Sequence, residues 1–150
     1  VSASHQFAEL RDSDSTVAIG FLEAFFDSLP AVRREAMFGR WQGGCFNTGH
    51  PGEGMLDKLN WCGKQFNSDN DVNPIMVRSA DGGMEVSDIM GQAQLRMVEY
   101  RGVVTATMAY DDKPIFDHFR AIDDDTLLGV MDSKGHEIPL FFYLERCPRG

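Results

Sequence analysis

The sequence predicts an all-β protein, an antiparallel barrel preceded by an N-terminal helical segment. Three observations carry that prediction. From Ala93 onward, short apolar runs alternate with tight turns at the spacing of a β-meander. The stretch Phe38–Phe46, FGRWQGGCF, sets a tryptophan between two glycines, which suits a strand whose backbone passes close to its neighbours. Ahead of it, Ala18, Phe21, Leu22, Phe25 and Leu29 recur at helical rather than strand spacing.

A chain of 150 residues has the size of one domain, and residues 1–150 are read as such, with no repeat, low-complexity run or linker to divide them. The formal charge of −9 offers no basic excess for releasing counterions from a phosphate backbone, so neither nucleic acid nor an anionic membrane is expected as a partner. Cys45, Cys62 and Cys147 form no even framework and no Cys-x-x-Cys pair, which predicts reduced thiols and a cytoplasmic setting. The longest apolar stretch, Val17–Phe26, is about half of a membrane span and contains Glu23. No basic and apolar leader precedes it, although a chain that starts at Val1 leaves room for a removed upstream segment.

Residues 1–14 are polar and mixed in sign, and are expected to be a loose terminus. Residues 15–37 form the helical segment. Its main helix follows the caps Asp14 and Ser15 and ends at Pro30, with a wide apolar face for one mouth or flank of the barrel; a shorter helical turn runs through Ala31–Met37. Residues 38–147 form the barrel. The first strand is Phe38–Phe46, and the turn formers from Asn47 to Gly54 predict a loop, followed by a helical turn or two over Met55–Trp61. Trp61–Phe66 reads as a strand, Asn67–Asn73 as a polar turn, and Pro74–Ser79 and Met84–Ile89 as strands about the hairpin Asp81-Gly82-Gly83. Five strands complete the wall: Ala93–Arg101, Val103–Asp111, Pro114–Ile122, Thr126–Asp132 and Ile138–Cys147. Nine strands are enough to enclose a small hydrophobic molecule.

The chemistry-bearing residues concentrate in a few of these strands. Within Pro114–Arg120, alternate side chains reach opposite faces: Phe116, His118 and Arg120 on one, Ile115, Asp117 and Phe119 on the other. If the first face lines the lumen, His118 is a general acid or base and Arg120 holds developing negative charge. If the second does, Asp117 is an isolated carboxylate whose pKa burial raises. Either set alternatively lies on a solvated face. Tyr100 and Tyr110 share even numbering with Met108 and are read as phenolic donors or core filler. Lys64 stands among Trp61 and Phe66, where desolvation would suit it for proton transfer or Schiff-base chemistry; a snorkelling surface lysine is the alternative. His50 is read as a lid residue at the barrel mouth or as an exposed loop residue. The Asp123-Asp124-Asp125 run is a solvated turn. The histidines show no metal-ligand spacing, no Gly-rich phosphate loop is present, and the eight methionines suit adaptable packing around a pocket.

The Gly39-Arg40-Trp41-Gln42-Gly43 run resembles the Gly-x-Trp-x-Gly start of calycin and lipocalin-like β-barrels. The resemblance implies that Trp41 closes the base of the barrel and that a late arginine, here Arg146, lies across it in a cation–π contact. FGRWQGGCFNTGHPGEGMLDKLNWCGKQF further resembles the GXWXG-domain proteins. The segment from LRMVEY through FFYLER is similar to the domain of unknown function that follows it in them. Together the matches span roughly residues 34–147 and imply a calycin-like barrel without implying a reaction. Some barrels with such a start hold haem through a late histidine. That would make His136 the candidate, but it lies in the turn Lys134–Glu137 without Cys-x-x-Cys-His or paired histidine spacing.

The combined expectation is a barrel without cofactor that acts on a small hydrophobic molecule as a cyclase, isomerase or lyase. His118, Asp117, Lys64 and Tyr110 would move protons, and Arg120, Phe116, Tyr100, Met108, Trp61, Phe66 and His50 would line the ligand. The alternative is a passive carrier for a lipid-like metabolite. Homodimer formation stays open.

Overall fold

The computed structural model describes residues 1–148. Its nine strands are β1 (Gly39–Cys45), β2 (Trp61–Ser68), β3 (Asp71–Arg78), β4 (Met84–Val86), β5 (Ala93–Tyr100), β6 (Val103–Tyr110), β7 (Ile115–Asp123), β8 (Thr126–Ser133) and β9 (Leu140–Arg146). They pair in the order β2-β1-β9-β8-β7-β6-β5-β3-β4, and β2 also pairs with β3. That second pairing closes an antiparallel barrel of eight strands. The expectation of nine wall strands needs correcting: β4, three residues long, pairs along β3 through Met76↔Val86 and lies outside the closed ring. The expected turn at Asn67–Asn73 shrinks to Asp69-Asn70, because Asn67, Ser68, Asp71 and Asn73 are strand residues despite their polarity.

The wall has two weak seams, and at one of them β3 and β5 meet only through Val72↔Ala93. β6 and β7 pair only from Thr107↔His118 to Ala109↔Phe116. Beyond that point the segment Pro30–Val32 enters between them. Ala121 N donates to Pro30 O (3.0 Å), Ala106 N donates to Val32 O (2.9 Å), and Val32 N donates to Thr105 Oγ1 (3.0 Å). Backbone groups freed by the splayed strands are thereby paired, as buried peptide groups must be.

Two apolar clusters lie on the two sides of the wall. The inner one fills the lumen and includes Trp41, Phe66, Leu95, Met108, Phe119, Phe142 and Leu144. The outer one joins Ile122, Leu128, Val130 and Phe141 to two helices, α1 (Ala3–Arg11) and α2 (Ile19–Ser28). α1 replaces the loose terminus expected over residues 1–14. Ser2 Oγ caps it by accepting from His5 N (3.1 Å), and the buried Phe7 meets Tyr143 edge-on at 5.1 Å. α2 starts after Ala18 with no side-chain cap, so the expected caps Asp14 and Ser15 do not serve it. A third helix, α3 (Pro51–Lys58), begins inside the stretch expected to be a loop and ends before Trp61. Among the described residues, no helix is long and apolar enough to cross a membrane.

One end of the barrel is closed by Trp41. Its indole Nε1 donates to Met37 O (2.8 Å), and Arg146 Cζ lies 4.2 Å from the ring centroid. Arg146 also donates to Asp125 Oδ1 and Ala36 O, both at 3.0 Å. Gly39 supplies the left-handed turn into β1 (φ +124°), which a side chain would strain.

Candidate functional site

The wall of the barrel sorts the candidates by side. On β7 the inward positions are Ile115, Asp117, Phe119 and Ala121, with Phe119 meeting Phe66 and Phe142 edge-on in the lumen. Phe116, His118 and Arg120 face outward. Asp117 is fully buried, and beside it Lys64 is 2% exposed.

Lys64 reaches the lumen through an irregularity. In a regular strand Trp61 and Lys64 face opposite sides, yet both turn inward, because the β2–β3 register shifts on either side of Gly63. Gly63 lies so close to β1 that a Cβ would collide with the Trp41 carbonyl, so the irregularity requires glycine. Lys64 is therefore no surface lysine. Its Nζ donates to Pro74 O (3.1 Å) and stands 3.2 Å from Asp117 Oδ2, a buried ion-pair contact. Three rings surround the ammonium group: Phe142, Trp61 and Tyr110, with centroids 5.1, 5.4 and 6.0 Å from Nζ.

The polar atoms of this centre are under-satisfied. Both Asp117 oxygens, the Tyr110 hydroxyl and the Trp61 indole N–H are buried without a hydrogen-bond partner. Burial pushes the Asp117 carboxyl above its ordinary range, and the Lys64 charge works in the opposite direction. The Tyr110 hydroxyl is raised well above its usual value, first by burial and then by the nearby Asp117. The surroundings are apolar, with Met108 and Met131 opposite Asp117 on the two flanking strands.

Several further neighbours shape this centre. Gly43 and Gly129 leave space for rings across the lumen: a Cβ on Gly43 would come within 2.6 Å of the Trp61 ring, and one on Gly129 would strike Phe142. Burial, together with the Glu53 charge, pushes the Cys45 thiol up to about 12. α3 covers the end of the barrel away from Trp41. Leu56 joins the lumenal cluster, and Gly52 packs so closely on Leu140 that a Cβ would come within 2.6 Å. A signal for the lumenal glycines was present in their placement within strands, where glycine marks close approach.

The remaining candidates stand elsewhere. His118 is buried on the outer wall, sandwiched between Tyr100 (centroids 3.9 Å apart) and Phe116 (6.1 Å), with Nδ1 2.9 Å from Thr107 Oγ1 and Nε2 3.7 Å from Asp132 Oδ2. Burial holds its pKa below the ordinary value, against the pull of Asp132. Arg120 is not a ligand-binding residue of the lumen. Its Nη1 donates to Phe26 O (3.0 Å) and Leu29 O (2.8 Å), supplying a cation to the carbonyl end of α2. Tyr100 and Phe116 likewise leave the ligand set. The parity argument for the tyrosines fails because each odd-numbered inward residue of β5 opposes an even-numbered one of β6, as in Ala93↔Tyr110. Phe66 and Met108 do line the lumen. His50 is neither a ligand residue nor a free loop residue: its Nδ1 accepts from Gly52 N (2.9 Å) as the cap of α3, and Nε2 lies 3.0 Å from Ile138 O.

His136 is exposed in the β8–β9 turn. Among the described residues, no group of three His, Cys, Asp or Glu side chains is placed to hold a metal ion.

The GXWXG protein family matches residues 24–82, and a domain of unknown function, DUF4334, matches residues 91–146. The crystal structure of a protein from Thermomonospora curvata is 39% identical, over 97% of this chain and 99% of that one, with a TM-score of 0.90. No curated protein matches the chain.

Proposed function

The chain belongs to the GXWXG proteins, with the DUF4334 domain of unknown function following in its second half, and we propose from the site itself that the barrel lumen is an active centre. The protein is a cofactor-independent enzyme of small-molecule metabolism, of the isomerase, cyclase or lyase type, acting on a hydrophobic substrate. The observation that carries this reading is the buried Lys64–Asp117 pair with both carboxylate oxygens unbonded, among rings and beside two unpartnered donors. An ion pair in such surroundings costs several kcal/mol in lost hydration, and each unpaired polar atom about 1–3 kcal/mol more. A barrel that only had to fold would fill these positions with apolar side chains.

Each group has a role that its surroundings fit. Asp117, with its carboxyl raised by burial, takes or gives a proton at the substrate carbon or oxygen. Lys64 stabilises the carboxylate when it is ionised. Tyr110 and Trp61 donate hydrogen bonds to an oxygen on which charge develops. The rings of Trp61, Tyr110 and Phe142 shape the apolar part. The three free cysteines support a reducing, cytoplasmic setting.

The predominantly apolar lumen also favours a second reading, a carrier that holds a hydrophobic metabolite unchanged. Native mass spectrometry of the protein purified from its own host, with its absorption spectrum, identifies the bound compound. That compound is then offered to Asp117→Asn and Tyr110→Phe variants. Proton transfer predicts that both variants bind it and that Asp117→Asn loses turnover by about 10²-fold or more. Release of the compound unchanged by the parent protein favours the carrier.

A further inference from the structure

We propose that Lys64 is an imine-forming nucleophile and that the substrates of the barrel are apolar aldehydes or ketones. This rests on the reading of the lumen as an active centre, and it adds the substrate class and a covalent intermediate.

The geometry assigns Lys64 a position that salt-bridge duty does not require. Its amine donates to one carbonyl, that of Pro74, and stands 3.2 Å from Asp117 Oδ2, with three aromatic rings around it. The nucleophilic form of the pair is the one with the proton on Asp117, in which an amine lone pair stands 3.2 Å from a carboxylic acid. That is the pairing of nucleophile and general acid that imine formation uses.

The step balances within the residues present. The Lys64 Nζ lone pair attacks the carbonyl carbon, and a proton passes from nitrogen to oxygen to give a neutral carbinolamine. Asp117 then gives its proton to the carbinolamine hydroxyl, the C–O bond breaks and water leaves. The product is a protonated imine on Lys64 with the Asp117 carboxylate as its counterion. The unpartnered donors, Tyr110 O–H and Trp61 N–H, suit the carbonyl oxygen before attack and the hydroxyl before departure. The protonated imine draws electrons from the bond next to it, which eases loss of a neighbouring proton or cleavage of a neighbouring C–C bond. An apolar remainder of the substrate suits the rings of Trp61, Phe142 and Tyr110 around Lys64.

The test is reductive trapping. The full chain is incubated near neutral pH with sodium cyanoborohydride and, separately, propanal, benzaldehyde, cinnamaldehyde and decanal, then mapped by peptide mass spectrometry. Lys58, Lys113 and Lys134 are exposed and serve as internal comparators. The expected result is an alkyl adduct at Lys64 formed at least about tenfold faster than at any comparator lysine and slowed about 10²-fold by Asp117→Asn. Lys64→Met, checked for folding by circular dichroism, should lose that adduct alone.

Alkylation of the comparators without Lys64, or of all four at one rate, overturns the proposal. Cinnamyl alcohol binds without forming an imine, so its binding, read by tryptophan fluorescence, separates the two readings. Alcohol binding without a Lys64 adduct overturns the imine and leaves the active centre standing. Neither binding nor adduct across the aldehydes overturns both.

Discussion

At the scale of single residues, the Lys64–Asp117 pair distinguishes a site from a scaffold. Asp117→Leu alone leaves the Lys64 ammonium buried without its partner and should lower the unfolding free energy by about 3–5 kcal/mol. The double variant Lys64→Met, Asp117→Leu removes both charges and should be neutral or more stable by up to about 4 kcal/mol. Denaturant titration of both variants checks this; a double variant as weak as the single one would make the pair structural. His118 has a different role. Its folded pKa lies below the ordinary value near 6.5 because burial disfavours the charged ring. A depressed pKa contributes stability that is present above about pH 6.5 and is lost as pH falls through the folded value. Unfolding titrations should therefore show stability falling below about pH 6.5, and His118→Gln should flatten that part of the curve. The residue types at the site were legible in the sequence, but which face of β7 looks inward was not. Alternation separates Asp117 from His118 without fixing either side, and the outer His118 and Arg120 are as buried as the inner Asp117 and Phe119 because α2 and Tyr100 cover them.

At the scale of elements, the legible parts were those whose pattern repeats. The meander from β5 to β9 follows the alternation and turns of the sequence closely. β2 was harder, since its inward set of Trp61, Lys64 and Phe66 breaks the alternation at a glycine that β1 requires. α1 was missed because one buried ring, Phe7, holds an otherwise polar helix to the wall. α3 was shortened because its Pro51-Gly52-Glu53-Gly54 start has turn composition. The same composition makes α3 the least firmly held cover of the lumen. Gly54 costs about 0.5–1 kcal/mol relative to alanine in a helix, and eight residues are few for an isolated helix. Hydrogen exchange should find the α3 amides opening well before those of β7 and β8, whose ladder runs from Ile115↔Ser133 to Asp123↔Thr126. Equal protection in α3 and this ladder would mean that α3 opens only with the barrel.

At the scale of the molecule, the barrel has two unlike ends, and the difference predicts where a ligand enters. The Trp41 end is locked by an indole hydrogen bond, a cation–π contact and the fan of Arg146 hydrogen bonds that ties β9 to the residues before β1. The other end has the short α3, held by Leu56, by the His50 cap and by Glu53, which accepts from Thr48 N and Gly49 N. Entry through α3 makes the effects of two substitutions separable. Arg146→Ala should lower stability by about 1 kcal/mol or somewhat more and leave the rate of Lys64 alkylation by cinnamaldehyde unchanged. Leu56→Ala removes the side chain that seats α3 in the lumen and should speed that alkylation several-fold, because opening becomes more populated while the pair itself is untouched. If Arg146→Ala accelerates the alkylation instead, the route runs past Trp41, and the lock at that end is the gate.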